Sequence, residues 1–528
     1  MYRCIILIIH FKEDLMKKIS LVLSLVIIMT ILCACSEPYS QVRGNDAVAV
    51  ASEASVSEKI SGCNPEKYTM DLTLDTEKDT ISGDVIVDLT NMTDDALTKI
   101  CFRLYSATVS SGSINKAENT STGTEYEVAP GSDKSVIYVD LAGDSIDPGK
   151  TVSVKLNFTS IIPDSEDRFG VINTDNGKLY NMTFCFPQIA FLENGKWFED
   201  AYIPEGEARF SEMSDYYVTL KAPADYTVVS SGKSSTTDGV TTIDAPGVRE
   251  MAIAACNFAD VISKTEDGIK YNVLAVKFSD DNAEYYTDMY NIMLDAAIDS
   301  VNIFSELVGN YIYDEIDIVP LYMSGNIGGM EMPGFIQIAV PKNVTASDEG
   351  YSEVDYTGIC QNTMIVTAHE MGHQWFYCAV GNNEAADPWL DESFTSFLEY
   401  YYVYKSDKLE DTADAFNKKH YEIDPQEIPS AFDSEDGSSP SYVNLPTNDY
   451  GKDGDYSLVV YDNGAWFLRK LELTMGSEKF FEMLSEWYTL NTGKIAGGAV
   501  FVQHVLKYDS SDEVKDVINY FLSDDYLK

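Results

Sequence analysis

The first half of the chain alternates hydrophobic and polar residues with the period of a β-strand. Apolar residues take every second position in four separate segments, at 68–74, 85–89, 152–158 and 216–220. Successive side chains of a strand point to opposite faces of its sheet, so this alternation predicts strands that are buried on one face. We therefore expect an antiparallel β domain over residues 67–264.

Helical spacing replaces the alternation in the second half of the chain. Between Tyr285 and Val308 the apolar residues recur every three or four positions, which is typical of a helix with one buried face. Similar spacing predicts further helices at Met364–Val380, Glu392–Tyr404, Asn463–Leu473, Glu478–Tyr488 and Glu513–Leu522. A short apolar run, Ile316–Pro320, indicates a strand ahead of a Gly-rich stretch. We expect a mainly helical domain over residues 265–528, and hence a multidomain α+β protein.

The N-terminus has the pattern of an export signal. The basic start Met16-Lys17-Lys18 precedes an apolar run, Ile19–Leu32, that is shorter than the about 20 residues needed to span a membrane. This run ends in Leu32-Cys33-Ala34-Cys35, which resembles a bacterial lipoprotein box. We expect residues 1–34 to be a signal peptide whose natural start is Met16, and Cys35 to carry the lipid.

The composition restricts the partners and the location of the chain. Residues 35–66 lack periodicity and indicate a flexible tether, which would hold the folded part at the cell membrane, outside the cytoplasm. There are 37 Lys and Arg against 85 Asp and Glu among 528 residues, a formal net charge of −48. Nucleic-acid binding requires basic surface, so this balance excludes a nucleic-acid partner. Apart from Cys35, six scattered cysteines follow; they indicate small buried residues, with disulfides left open.

A metal-binding motif lies within the predicted helix Met364–Val380. His369 and His373 are four residues apart, so on a helix both imidazoles point to one side and can hold a common metal. Glu370 follows His369 by about 100° round the helix, where it can take a proton from a water at the metal without being a ligand. The flanking residues are apolar or aromatic, and polar side chains embedded there need partners. We expect one Zn²⁺ per chain.

A third ligand is expected because catalytic zinc sites have three protein ligands and one open position. Eighteen residues separate His373 from Glu392, which lies at the start of a predicted helix. Upstream of it, Asp387 and Pro388 are suited to the N-cap and the first helical position. Glu399 returns to the same helix face two turns later. It either orients a histidine ligand or is a solvated carboxylate. The predicted zinc ligands are His369, His373 and Glu392.

These motifs resemble those of the aminopeptidase N family of gluzincin metallopeptidases. That family has His-Glu-x-x-His, then eighteen residues and Glu, and its flanks are similar to Gln374-Trp375-Phe376 and Trp389-Leu390-Asp391. Two further stretches, Val248–Ala252 and Tyr313–Val319, are also similar to the family. The resemblance covers about residue 68 to the C-terminus. It implies a saddle-like β domain followed by a thermolysin-like catalytic domain.

The resemblance also implies a substrate-binding and a second catalytic residue. Gly328-Gly329-Met330-Glu331 looks like the family's exopeptidase motif, Gly-x-Met-Glu-Asn, in which the Glu binds the free α-amino group of the substrate. Glu331 takes that role, in what the sequence indicates to be a turn of Gly, Met and Pro. Tyr461, in Tyr461-Asp462-Asn463-Gly464-Ala465, resembles the tyrosine that donates a hydrogen bond to the tetrahedral oxyanion.

Departures from the family pattern keep other functions open. Met332 replaces the usual Asn of the exopeptidase motif, Asn463 replaces a usual Lys, and residues 174–192 contain no Glu that could supply a second carboxylate. The chain also ends soon after the catalytic domain, without the C-terminal helical domain of longer members. We interpret it as a zinc aminopeptidase acting on peptides. The alternatives are an endopeptidase of the same fold and a non-catalytic peptide-binding lipoprotein.

Overall fold

A computed structural model describes residues 61–200, 202, 210–278, 283–324, 327–341, 353–409, 442–450 and 455–523, without the side chains of residues 353–357, 407 and 455. The predicted signal peptide, Cys35 and most of the predicted tether lie outside the described residues. In the part that is described, no helix is long and apolar enough to cross a membrane. The strands concentrate in the N-terminal half and the helices in the C-terminal half, which confirms the multidomain α+β class.

The described residues form the following strands. They are β1 (Cys63–Asp75), β2 (Thr80–Asn91), β3 (Lys99–Arg103), β4 (Ser111–Asn119), β5 (Glu125–Pro130), β6 (Val136–Asp140), β7 (Thr151–Ile161), β8 (Gly170–Thr174), β9 (Gly177–Met182), β10 (Gln188–Ile189), β11 (Leu192–Glu193), β12 (Lys196–Trp197), β13 (Ser214–Lys221), β14 (Thr227–Ser230), β15 (Lys233–Thr237), β16 (Val240–Val248), β17 (Ile253–Cys256), β18 (Ala259–Glu266), β19 (Ile269–Val276), β20 (Glu315–Leu321), β21 (Gly329–Met332) and β22 (Phe335–Ala339).

The largest sheet contains eleven strands in the order β10-β3-β6-β5-β4-β7-β2-β1-β13-β16-β15. All its described pairings are antiparallel except that of β1 with β13. The alternation of the sequence decides which face is buried, because Tyr68, Met70 and Leu72 are each at most 1% exposed while the residues between them face solvent. The β domain thus buries one face of a mostly antiparallel sheet.

A second sheet carries part of the candidate site. Its order is β18-β19-β20-β22-β21, with β20 parallel to both β19 and β22. Strand β21 lies at the edge of this sheet. After it, the chain turns through Pro333-Gly334 into β22, which pairs with β21 antiparallel. Gly334 has a φ of 65°, which the second central residue of a type II turn requires. Two smaller sheets, β14-β17-β9-β8 and β11-β12, complete the described strands.

The C-terminal half contains seven longer helices in its described residues, and two of them pack against the second sheet. They are α1 (Ala283–Leu307), α2 (Glu353–Gly372), α3 (Trp389–Lys405), α4 (Gly464–Met475), α5 (Ser477–Asn491), α6 (Gly498–Tyr508) and α7 (Asp512–Phe521). Shorter helical pieces lie at Ser106–Val109, Asp407–Leu409, Thr447–Asp449, Asp455–Ser457 and, as a π-helical turn, Leu458–Asn463. The buried indoles of Trp375, Trp389 and Trp487 pack within this half of the protein. These indoles belong to one continuous hydrophobic core, which extends from β1 to α7.

Several predicted helix boundaries were wrong. Helix α2 ends at Gly372, not at Val380, because the backbone then closes wide turns such as Cys378 N–H to His373 O. Helix α3 begins at Trp389 with Pro388 as its N-cap and without a side-chain cap. Strand β1 already begins at Cys63, inside the predicted tether. Helix α6 was not predicted, and strand β18 runs across residue 264.

The cysteines outside the N-terminal segment are free thiols in the described residues. Five of the six are buried, and Cys360 is half-buried. Burial raises the pKa of the Cys185 thiol well above its ordinary value, which keeps that group neutral and unreactive. The expectation of small buried residues is therefore confirmed, and no disulfide joins these six positions. They are Cys63, Cys101, Cys185, Cys256, Cys360 and Cys378.

A buried arginine fastens the β domain to the loops next to the metal motif. Arg249 is 1% exposed, and its guanidinium donates to the backbone oxygens of Ser211, Tyr377, Ala379 and Lys494. The neighbouring Gly381 has to be glycine, since a Cβ there would overlap the guanidinium. Four carbonyl dipoles compensate the buried charge. The arginine thereby fixes the chain that leaves His373.

Candidate active site

Two helices and one turn bring the predicted metal ligands together. His369 lies in the last turn of α2, and the His373 N–H still bonds to the His369 carbonyl at 3.3 Å, so the two imidazoles stay one helical turn apart. Glu392 lies in the first turn of α3, which packs against α2. The ligand atoms of these three residues all lie within 4.8 Å of one another. All three side chains are at most 14% exposed.

The distances between these atoms fit a tetrahedral metal. Glu392 Oε2 is 3.3 Å from His369 Nε2 and 3.4 Å from His373 Nε2. Ligand atoms that are each about 2.0–2.2 Å from a tetrahedral zinc lie about 3.3–3.6 Å apart. Two imidazoles and one carboxylate are also the donor set of many catalytic zinc sites. The residues therefore fit zinc in both chemistry and spacing.

Each histidine is held by a hydrogen bond at its other ring nitrogen. His369 Nδ1 lies 3.0 Å from Glu399 Oε2. His373 Nδ1 lies 3.2 Å from both the Phe376 carbonyl oxygen and Thr395 Oγ1. Such contacts fix the tautomer and the ring orientation, so that each Nε2 faces the metal position. Of the two interpretations of Glu399, the structure favours the first and places the carboxylate beside the histidine.

The carboxylates set the charge of the site. Burial alone would lower the pKa of His369, but its hydrogen bonds to Glu392 and Glu399 outweigh burial and hold that pKa well above its ordinary value. Burial would raise the pKa of Glu392, whereas the charge on His373 and the hydrogen bonds from both imidazoles hold it well below its ordinary value. The buried triad therefore keeps an ionised carboxylate against its imidazoles, as a cation site requires.

Glu370 and Glu331 lie side by side next to the metal triad. Their carboxylate oxygens and a ring nitrogen of His373 lie within 4.8 Å of one another. Glu370 is 5% exposed and Glu331 3%. The sequence indicated a turn at Glu331, which was wrong: the residue belongs to edge strand β21 and is buried. A Cβ at Gly329 would overlap the Glu370 side chain, so the glycine lets this strand approach the helix.

The side chain of Gln374 fastens that strand to the metal helix. Its Nε2 donates to the Met332 carbonyl oxygen at 3.0 Å, and its Oε1 accepts from the Gly334 N–H at 2.9 Å. Both groups belong to the turn that joins β21 to β22. Because Gln374 directly follows His373, the hairpin and the metal ligand share one anchor. Sequence reasoning gave Gln374 no role, and its position beside a ligand was the one available signal.

Tyr461 reaches the triad from a π-helical turn. The turn spans Leu458–Asn463, and the Tyr461 hydroxyl donates to Glu392 Oε1 at 2.5 Å. The phenol ring is also nearly parallel to the His369 ring, with centroids 5.8 Å apart. Insertions of this kind into helices are common at functional sites. The structure thus brings Tyr461 together with the three ligands.

The remaining predicted substrate-binding residues lie in strand β21 or directly before it. Gly328 accepts a hydrogen bond from the Ala339 N–H at 2.8 Å, and Met330 is 1% exposed within β21. Sequence reasoning missed Thr395, although it lies three residues after Glu392 on the same helix face. That spacing is a usable signal, because ligands and the residues that orient them often share a face.

The sequence of this region matches a known family. Residues 293–521, which contain the triad, Glu331, Glu370 and Tyr461, match the Peptidase family M1 domain. The chain carries an M1 peptidase domain of the aminopeptidase N-like gluzincin type. Zinc is the metal that this family implies, and the M1 domain of this chain presents a donor set and spacing that fit it.

Relatives of the M1 domain include fungal enzymes. Leucine aminopeptidase 2 of Aspergillus terreus is 27% identical over 236 residues, which cover 42% of this chain and 33% of the relative. Leucine aminopeptidase 2 of Coccidioides immitis is 26% identical over 223 residues, covering 41% and 32%. The matched region thus spans about a third of the length of these relatives.

The M1 fold extends beyond the matched sequence. The crystal structure of a mutant M1 zinc metallopeptidase from Deinococcus radiodurans superposes with a TM-score of 0.57 at 14% identity, covering 88% of this chain and 95% of that one. A second structure of that protein, bound to the substrate Tyr-Ser-Ala, gives 0.56 at 15% identity, covering 87% and 94%. The β domain and the M1 domain together therefore share the architecture of that protein.

Proposed function

We propose that this protein is a zinc aminopeptidase that hydrolyses the N-terminal peptide bond of peptides. The observation that carries the proposal is the position of the buried Glu331 carboxylate, which lies within 4.8 Å of Glu370 and His373. A carboxylate so close to the metal triad can bind the α-ammonium group of a substrate whose first peptide bond lies over the metal. The names of the fungal relatives make a leucyl substrate the first to test.

Each residue of the site has a separate role in the proposed reaction. Zinc held by His369, His373 and Glu392 would supply a Lewis acid that lowers the pKa of a water to about 7. Glu370 is not one of the three ligands, so its carboxylate is left to take the proton of the attacking water and return it to the leaving amine. The first step needs the ionised carboxylate, and the second needs the carboxylic acid that it becomes. Both need the group held beside the triad, where Gly329 packs against the Glu370 side chain.

Tyr461 supplies the donor for the charge that develops on the substrate. Its hydroxyl donates to Glu392 Oε1 in the absence of substrate, and a small rotation of the phenol redirects that bond to the oxyanion. A donor held beside the metal triad lowers the barrier more than an equivalent group in water, because the folded protein has already fixed its position.

The aminopeptidase assignment is tested at Glu331. A charge-assisted hydrogen bond to an ammonium group contributes about 1.5–3 kcal/mol, so Glu331→Ala should lower kcat/KM on leucyl substrates about 10–150-fold. Glu331→Gln preserves the volume of the buried side chain and should produce most of this loss. Peptides with an acetylated N-terminus offer no ammonium group and provide the matched control. Equal losses on free and acetylated peptides would show that Glu331 acts through packing alone.

An endopeptidase of the same fold is the second candidate. Met332, which is fully buried in β21, occupies the position of the amide side chain in the family's exopeptidase motif and cannot donate hydrogen bonds to a substrate. The same peptides distinguish the two functions. An aminopeptidase cleaves the free peptides far faster, whereas faster cleavage of the acetylated series by the wild-type protein would identify an endopeptidase.

We also propose that the protein is anchored to the membrane through a lipid on Cys35. This rests on the sequence Leu32-Cys33-Ala34-Cys35 after an apolar run. The wild-type protein should sediment with membranes, and Cys35→Ala should remain unlipidated. Mass spectrometry of the mature N-terminus provides the direct measurement. A mature N-terminus at any residue other than Cys35 would rule out the lipoprotein box.

A further inference from the structure

The π-helical turn that carries Tyr461 leaves one backbone carbonyl without its helical donor. In an α-helix the N–H of Gly464 would bond to the carbonyl of Val460, four residues earlier. Instead, the Gly464 N–H bonds to the carbonyls of Val459 and Tyr461. The Val460 carbonyl is therefore bypassed at a residue that is 0% exposed. A buried carbonyl without a donor costs about 1–3 kcal/mol, a population change of about 5–150-fold.

Helix α3, which carries the ligand Glu392, supplies a hydrogen-bond donor to the Val460 carbonyl. Ser393, also 0% exposed, donates its hydroxyl to the Val460 carbonyl oxygen at 2.6 Å. Gly464 packs directly on this hydroxyl, since a Cβ there would overlap both Ser393 Oγ and Cβ. Further along the same helix, the Tyr400 hydroxyl donates to Asp462 Oδ1 at 3.1 Å. Helix α3 thus holds the turn on both sides of Tyr461.

We propose that Ser393 is a positioning residue for Tyr461, which it acts on by stabilising the π-helical turn. Ser393 directly follows Glu392, whose Oε1 accepts the bond from the Tyr461 hydroxyl. Without the serine hydroxyl, the Val460 carbonyl regains a donor only if the turn closes as an α-helix with Gly464. That closure moves Tyr461 by one residue position, about 100° round the helix, and so away from the metal triad. The proposal rests on the proposed role of Tyr461 as the oxyanion donor.

The test is a double-mutant cycle on the zinc-loaded protein. Ser393→Ala should lower kcat about 5–150-fold with little change in KM, and Tyr461→Phe about 10²–10³-fold. In the Tyr461→Phe background, Ser393→Ala should cause no further loss, because the donor that it positions is already absent. Ser300→Ala is the matched control, since that buried serine bonds within its own helix, to Ala296. Losses that multiply in the double variant would overturn the proposal.

Hydrogen exchange supplies a measurement that does not depend on activity. In chelator-treated protein, the exchange rates of the amides of residues 461–464 should change by at least about 5-fold in Ser393→Ala and stay at the wild-type rate in Ser300→Ala. Alanine is smaller than serine, so the variant introduces no clash. Unchanged protection would refute the role of Ser393. If the wild-type protein cleaves no peptide, the proposed function fails, and the exchange result still decides whether Ser393 holds the turn.

Zinc affinity separates positioning from damage to the metal site. Ser393 adjoins Glu392, so a general disturbance of helix α3 would weaken zinc binding as well as turnover. The proposal requires that Ser393→Ala binds zinc within about 3-fold of the wild type, because the hydroxyl bonds to Val460 and not to a ligand. A loss of zinc affinity that matches the loss of kcat would overturn it.

Discussion

Glu370→Gln should retain zinc and lower turnover about 10²–10⁴-fold, the range typical of a lost general base. The amide has the shape of the carboxylate but cannot accept the proton of the attacking water. Glu370 is not among the three ligands, so metal content measured by atomic emission should stay at the wild-type level. Wild-type turnover by the zinc-loaded variant would refute the assignment of Glu370 as the base.

A pair of glycine variants tests the placement of the same carboxylate. Gly329→Ala brings a Cβ into the space of the Glu370 side chain and must displace it, which should reduce turnover in the same direction as Glu370→Gln. Gly328→Ala makes the same chemical change one residue earlier, where the Cβ meets Val366 at 3.4 Å, an ordinary contact. Its effect should be clearly smaller. Equal effects would mean that the strand, and not Glu370, responds to the added methyl group.

Removing a metal ligand should abolish both zinc binding and activity. Wild-type protein should contain about one zinc per chain, and Glu392→Ala, His369→Ala and His373→Ala should contain almost none, because a catalytic site has only three protein ligands. Zinc binds the folded state preferentially, so a chelator should also lower the Tm of the wild type but not of these variants. Emission spectroscopy and thermal melts measure the two effects.

A variant that should weaken zinc binding without abolishing it provides the control for the ligand variants. Glu399→Gln keeps all three ligands and alters only the group that holds His369 Nδ1. Its zinc affinity should fall about 10–100-fold, the range found when a residue that orients a ligand is changed. Full zinc occupancy in Glu392→Ala, or complete loss in Glu399→Gln, would contradict the division between ligand and orienting residue.

The metal triad and the general architecture are the parts that the sequence predicts well. Residues four apart on a helix must share a face, so the spacing of His369 and His373 is enough to assign both to one metal. The burial of β1 could be predicted for the same reason, since alternation leaves Tyr68 and Met70 one possible side. Both inferences depend on short-range geometry, which the backbone of a single element fixes.

The surroundings of the triad depend on long-range contacts and could not be predicted. Strand β21 has only four residues, and its Gly and Met content carries no strand pattern; it forms because β22 pairs with it and Gln374 holds their turn. The π-helical turn depends on a bond from Ser393 to Val460, 67 residues away. The helix that the sequence predicts begins only at Asn463, after Tyr461, so the turn before it carries no recognisable pattern.

The four hydrogen bonds that Arg249 donates to backbone carbonyls also join segments that are synthesised far apart in time. One of its acceptors, Lys494, lies 245 residues further along the chain. The ribosome therefore makes the whole zinc motif long before it makes Lys494, whose carbonyl is the last acceptor for Arg249. A chain that stops short of residue 494 carries the metal-binding helix but lacks one of the four carbonyls that hold Arg249. The loop that follows His373 thus reaches its final hydrogen bonding only once residue 494 is present.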